Sequence, residues 1–556
     1  MRIPSAYGQQ GVPAMSVPDI SRLAMSERTF EPRQQQQQQQ QQEEQSTSRP
    51  ASTPFFNNSV NTTSNAATTY TETPSNYTYP RSERVRREVD AKVVDPLTTK
   101  FIDFMYDNPT TYHACEGFAD MLCHAGFTYL SERVAWDDKV QKGGKYFTTR
   151  NGSSLVAFVI GQHYTGGNGA GMVACHIDAL CAKVKPISKK PAVEGYTQLG
   201  AAPYAGAMSS TWWDRDLGLA GRVVVKNPTG VIQTKLFTIP YPVARIPTLA
   251  PHFGAAANPP FNPETNTTPI IGLEPEDPAE NELRPEEIGA PLAGRHNIRL
   301  LRLVAKELGV PVSSMLNFDL ELFDTQRGTV GGIDKEFLFC PRIDDKICAY
   351  AAVTGMLESC EEHAVSGSTI NVVALFDDEE IGSLLRQGAR GGLLESSLQR
   401  VVESLGNGAT MAQTYANSFL VSADVIHAFN PNFSNAYLQY HTPALNVGVT
   451  VSCDPNGHMT TDAESTAFME EVARRTNNTL QYFQIRNDSR SGGTVGPMLS
   501  SSMGCRGIDM GIPQLAMHSI RACTGSRDVA LGAKLFQAFY EEWEDVDYQV
   551  RSGEKM

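Results

Sequence analysis

From about residue 95 the chain alternates between two kinds of apolar pattern. Runs such as SLVAFVIG (154–161), GMVACHIDAL (171–180), INVVALF (370–376) and NSFLVSADV (417–425) are almost unbroken by polar residues, as expected of strands in a buried sheet. Helical spacing separates or follows them. VVDPLTTKFIDFMYDNPTTYHACEGFADMLCHAGF predicts two helices divided at Asn108–Pro109, and ESTAFMEEVARRTN and DVALGAKLFQAFYEEWEDV predict two more. Strand–helix alternation predicts an α/β fold, a mixed sheet with helices on both faces. The Gly-rich link HYTGGNGA joins two apolar runs rather than opening a helix, so it predicts a hairpin loop and not a phosphate-binding loop.

The texture changes between about 184 and 335. GRVVVK, TKLFTIPY and FDLELFD are strand-like, 251–290 is rich in Pro and Asn, and NIRLLRLVAKELGV is the one strong helix. A second, mostly β module is therefore expected at 184–335, interrupting a domain formed by 94–183 and 336–556. Residues 1–93 stand apart: nine consecutive glutamines (Gln34 to Gln42) are followed by Ser/Thr/Asn-rich sequence. Such sequence buries too little apolar area to offset ordering entropy and predicts a disordered tail, with at most a weak amphipathic helix over 17–30.

Composition removes several functions. The chain has 556 residues and a net charge of −14, which argues against binding a nucleic-acid backbone or an anionic membrane by charge. No apolar run is long enough to cross a bilayer, and the first residues lack the apolar core of a secretory signal. The ten cysteines form no CxxC pair and predict buried thiols of a reducing cytosol.

Chemistry collects where the predicted strands end. His176 and Asp178 close ACHID, Asp344 lies in PRIDDK, Glu379 and Glu380 in DDEEIG, Asp424 in SADVIH and His518 in AMHSI. Two histidines and several carboxylates form an N/O donor set suited to Zn²⁺ or Mn²⁺, and two divalent ions would hold such a row of mutually repelling acids together. Taken singly, each residue has an ordinary reading. Asp345 can serve as the cap of the helix that follows, and His163, His427 and His441 read as ordinary polar residues.

With these residues in view, the chain resembles the aspartyl aminopeptidase/aminopeptidase I family of dinuclear zinc metallopeptidases, and within it the fungal vacuolar branch. The resemblance runs from about 95 to the C-terminus through DRDLGLAGRVVVK, RIPTLAPHFG, FLFCPRIDDKICAYAA, LFDDEEIGSLLRQGARGGLLES, SADVIHAFNPNF, DPNGHMTTD, SRSGGTVGP and MHSIRACTGSRDV. It implies two Zn²⁺ per subunit, with Mn²⁺ or Co²⁺ as substitutes. Asp344 would bridge them, His176 and Asp424 would complete one shell, and Glu380 and His518 the other. Glu379 would be the general base of a zinc-activated water, and Asp178 would orient His176. The inserted module would pair subunits within a dodecamer, where His252 would reach a neighbouring active site; an ordinary loop histidine is the other reading of His252.

Departures from the acid-preferring branch bear on substrate. This chain reads His176-Ile177-Asp178-Ala179-Leu180 where that branch has H-x-D-S-P. Ser452, His458 and Met459 stand in a segment that carries basic residues there, and Ala522 replaces a Glu. These differences imply a neutral, leucine-preferring aminopeptidase acting on peptides. The resemblance to the vacuolar branch also implies delivery to the vacuole as selective-autophagy cargo, with a receptor at the N-terminal tail. A cytosolic aspartyl aminopeptidase, a zinc hydrolase of N-acyl amino acids, and an oligomeric cargo or scaffold of little activity remain as alternatives.

Overall fold

The computed structural model describes residues 94–553, except 240, 361–362 and 406–407. The tail, its 17–30 segment and any receptor site on it lie outside the described residues. The first helix, Pro96–Asp107, starts where Asp95 accepts a hydrogen bond from the Leu97 amide and Pro96 occupies the first turn. The second, Thr111–His124, is capped by Thr110.

Nine strands form the main sheet. Its spatial order is Thr128–Tyr129, Lys145–Arg150, Ser154–Ile160, Ile370–Phe376, Ala170–His176, Phe419–Ala423, Arg506–Gly511, Thr450–Cys453 and Gln481–Gln484. The four from Ile370–Phe376 to Arg506–Gly511 run parallel to one another. Their side chains alternate between two cores. Leu155, Ala157, Val173, Cys175, Val373 and Leu375 pack beneath the helices Ile343–Ser359 and Asp528–Gly553. Val156, Phe158, Met172, Ala174, Val372 and Phe376 pack beneath Leu393–Leu405 and Val495–Met503. Helices on both faces explain why these runs are apolar throughout. Trp543 of the last helix donates its indole N–H to Asn371 at 2.8 Å, pinning that helix to the central strand.

The expected hairpin between 154–160 and 170–176 does not form. Ile370–Phe376 lies between the two strands, antiparallel to the first and parallel to the second. The Gly-rich link is therefore a crossover around a third strand. Local sequence shows a turn but cannot show what will enter the gap beside it.

A six-stranded sheet occupies the middle of the chain, ordered Ile232–Thr238, Leu217–Lys226, Met315–Asp324, Cys181–Lys189, Tyr196–Tyr204 and Ile270–Leu273. Its core includes Trp212, Leu219, Val223 and Leu322, covered by the helix Ile298–Leu308. A five-stranded sheet takes in Phe337–Cys340 and Pro513–Leu515, which sequence alternation alone would have placed in the main sheet. Among the described residues no helix is long and apolar enough to cross a membrane.

Candidate metal centre

Parallel register assembles the site. Phe376 is level with His176, and Ser422 is level with Ala174, so Asp377–Glu380, His176 and Asp424 leave the same edge of the main sheet together. Gly511 makes room for this: a Cβ there would lie 1.4 Å from the Asp424 carbonyl oxygen. Asp344 and His518 arrive differently. Each follows a strand of the five-stranded sheet, Phe337–Cys340 and Pro513–Leu515. The backbone around the centre is held in the left-handed region at three side-chain-bearing residues, Arg342, Asp378 and His518 (φ 56°, 63° and 62°). Such strain clusters where a fold over-determines local geometry.

His176 lies at the middle of the cluster. Its Nε2 is 3.2 Å from Asp344 Oδ1, 3.6 Å from Asp424 Oδ1 and 3.9 Å from Glu379 Oε2. His518 Nε2 stands 3.5 Å from both Asp344 Oδ2 and Glu380 Oε2. Asp344 thus faces both histidines. Ligand atoms of His176, Asp344 and Glu380 gather within 4.8 Å, as do those of His176, Glu379 and Asp424.

Asp178 is buried and accepts from every side. Its Oδ1 is 3.2 Å from His176 Nδ1 and accepts the Glu379 amide; its Oδ2 accepts the Glu380 amide at 3.2 Å and the Tyr204 hydroxyl at 2.7 Å. With Nδ1 donating to Asp178, Nε2 is the ring atom that faces the carboxylates and is left to coordinate a cation held among them.

The electrostatics call for a cation. Burial, with the charges of Asp424, Asp178 and Asp344, pushes Glu379 up to about 8 against the pull of His176. Burial and Asp344 push Glu380 up to about 10, and burial raises Asp424 despite its His176 contact. Burial lowers the His176 pKa, but its bonds to Asp178, Asp344 and Asp424 outweigh that and hold it well above the usual value. Burial would raise Asp178, yet the bond and charge of His176, with Tyr204 and the Glu380 amide, keep it low and ionised. Glu380 Oε1 is buried with no hydrogen-bond partner. This all-N/O donor set with surplus negative charge fits zinc.

Other residues fall into place around it. Asp377 accepts the Asp378 amide at 2.8 Å, and Asp378 Oδ1 is 3.3 Å from the Tyr204 hydroxyl, so both shape the turn. Asp345 does not cap its helix: its carboxylate is buried and accepts no backbone amide of the first turn, with the Cys348 thiol beside it. Burial, then the nearby Asp424 charge, raise its pKa well above the carboxylate range. His252 stands on the exposed Pro251–Ala257 segment, and none of the described hydrogen bonds or ion pairs joins it to the cluster. Sequence reasoning missed Tyr204, whose strand YTQLGAAPY has too weak an apolar pattern to stand out. It also missed a cavity of about 30 Å³ beside Asp344, Glu380 and His518, lined by Leu180, Trp212, Phe323, Arg342, Lys346 and Ile520 among others.

Residues 104–540 match the model of the aminopeptidase I zinc metalloprotease family (M18). The chain belongs to this family. Over 458 residues it is 49% identical to vacuolar aminopeptidase 1 of Saccharomyces cerevisiae, covering 81% of this chain and 89% of that protein. It is 38% identical over 459 residues to aspartyl aminopeptidase 1 of Schizosaccharomyces pombe, covering 81% and 96%. The solved structure of the S. cerevisiae mApe1 dodecamer superposes with a TM-score of 0.75 at 44% identity, covering 83% of this chain and 99% of that one. This M18 chain is a zinc metallo-aminopeptidase, which favours that activity over hydrolysis of N-acyl amino acids.

Proposed function

We propose that two zinc ions bind each subunit and that the enzyme removes neutral, preferably leucine-like, residues from peptide N-termini. The observation that carries this reading is the gathering of His176, Asp344, Glu379, Glu380, Asp424 and His518 around two histidine nitrogens, with Asp344 between them. His176 and Asp424 would hold one ion, Glu380 and His518 the other, and Asp344 both. When bound, zinc acidifies water and polarises the scissile carbonyl. Glu379 takes the proton of the attacking water and returns it to the departing amine. Asp178 keeps His176 in the tautomer that presents Nε2.

The apolar share of the adjoining lining, Leu180, Trp212, Phe323 and Ile520, supports an apolar substrate side chain, for which the cavity of about 30 Å³ would have to widen. Arg342 and Lys346 in the same lining, balanced there by Glu321 and Asp324, give the second reading, an acid-preferring enzyme like the S. pombe relative. Zinc analysis with Leu-, Asp-, Glu- and Lys-arylamides separates the two. Two zinc per subunit and fastest release of Leu are expected; fastest release of Asp overturns the neutral preference.

The same proposal takes the module 184–335 as the subunit-pairing part of a dodecamer, supported by the dodecameric relative. His252 would then complete a neighbour's site. Vacuolar residence is supported by the S. cerevisiae relative, with residues 1–93 as the receptor-binding tail and a cytoplasmic enzyme as the other outcome. Imaging the full chain and a form lacking 1–93 decides between them: loss of vacuolar signal only in the shortened form is expected.

A further inference from the structure

Tyr204 belongs to the six-stranded sheet, yet its hydroxyl ends in the metal centre. The strand Tyr196–Tyr204 pairs with Cys181–Lys189, and the register sets Tyr204 opposite Cys181, a few residues beyond His176-Ile177-Asp178. The ring is 8% exposed, with Lys183 Nζ over its face at 4.1 Å from the centroid. Its hydroxyl donates to Asp178 Oδ2 at 2.7 Å and lies 3.3 Å from Asp378 Oδ1. Asp178 is the carboxylate that also contacts His176 Nδ1 and receives the amides of Glu379 and Glu380.

We propose that Tyr204 is a positioning residue for the metal centre, supplied by the inserted sheet; the proposal rests on the metal-site roles given above. An Asp side chain can turn about its last bond, and without Tyr204 the Glu380 amide, at 3.2 Å, would be the one described partner holding Oδ2 against that turn. The short bond from Tyr204 to Oδ2 closes that freedom. It fixes the carboxylate plane with Oδ1 toward His176 and both oxygens toward the Glu379–Glu380 amides. One hydroxyl thus sets the His176 tautomer and the aim of the neighbouring base and ligand at once. The inserted sheet then contributes to chemistry inside its own subunit, whatever it does between subunits.

Tyr204→Phe removes the hydroxyl and keeps the ring under Lys183. Zinc release to a chromophoric chelator is expected to quicken about 10–100-fold, the usual scale for losing an outer partner of a metal ligand. The fall in turnover should appear in kcat with KM little changed, at an unchanged thermal midpoint of the chelator-treated protein. Against an Asp178→Asn background the same change should have no further effect on zinc release. Wild-type release rate and kcat in Tyr204→Phe, or losses that multiply in the double variant, overturn the proposal. Zinc content of the wild-type chain is measured alongside: its absence there would overturn the metal-site reading, whereas normal wild-type zinc with an unaffected Tyr204→Phe variant overturns the role of Tyr204 alone.

Discussion

The nine-stranded and six-stranded sheets differ in how they spend their faces. Ser154–Ile160, Ala170–His176 and Ile370–Phe376 are buried at every residue. Ile232–Thr238 is exposed or half-buried except at Phe237, and Ile187, Ile232 and Leu273 are more than half exposed. A sheet braced on both sides can carry at its edge a group of acids that repel one another, because its strands cannot yield. A sheet open on one side is suited to meeting another surface, and it reaches the chemistry through the Tyr204 hydroxyl and through Phe323 in the cavity wall. Rigidity and availability are thus divided between two parts of one subunit.

Substitutions can break or sharpen that division. The largest effect is expected at the braced edge. Glu379→Gln should lower kcat about 10²–10⁴-fold, the usual range for removing a general base, while zinc content and thermal midpoint hold. Wild-type turnover of an arylamide by this variant would remove Glu379 from its role. Next comes the brace itself. Phe376 is fully buried, so Phe376→Ala should cost about 3–5 kcal/mol in denaturant unfolding. Metal removal should follow: chelated enzyme should melt below the zinc-loaded form, because zinc bound only by the native state adds stability and relieves the repulsion among Glu379, Glu380 and Asp424. Equal midpoints by calorimetry would mean the cluster folds as well without a cation. The smallest effect belongs to the open sheet. Ile232→Ala should shift subunit unfolding by less than about 0.5 kcal/mol, and any change should appear in sedimentation as altered assembly.

Much of the braced region was legible in the sequence. Long apolar runs announce strands buried on both faces, and His176, Glu379, Glu380 and Asp424 stand out as polar residues directly after them. Register was not legible. Nothing local in HYTGGNGA shows that Ile370–Phe376 will separate its flanking strands, and nothing in FLFC shows that Phe337–Cys340 will join a different sheet from INVVALF. Asp345 misled because an acid at a helix start is commonly a cap, and its burial depends on packing that no local pattern displays. Tyr204 was hidden for a similar reason: its role depends on a cross-strand partner in one sheet and an acceptor at the edge of another.

The displaced central strand also has a consequence for synthesis. Ser154–Ile160 and Ala170–His176 leave the ribosome nearly 200 residues before Ile370–Phe376, the strand that must fill the gap between them. At about 5–20 residues per second this is a delay of roughly 10–40 s. The six-stranded sheet, whose strands all lie between Cys181 and Asp324, can close within that interval. The nascent chain therefore carries a finished module on an unfinished one, with three bare apolar strand edges exposed, one on Ser154–Ile160 and both on Ala170–His176. Chaperones that shield such edges have their longest opportunity during that wait.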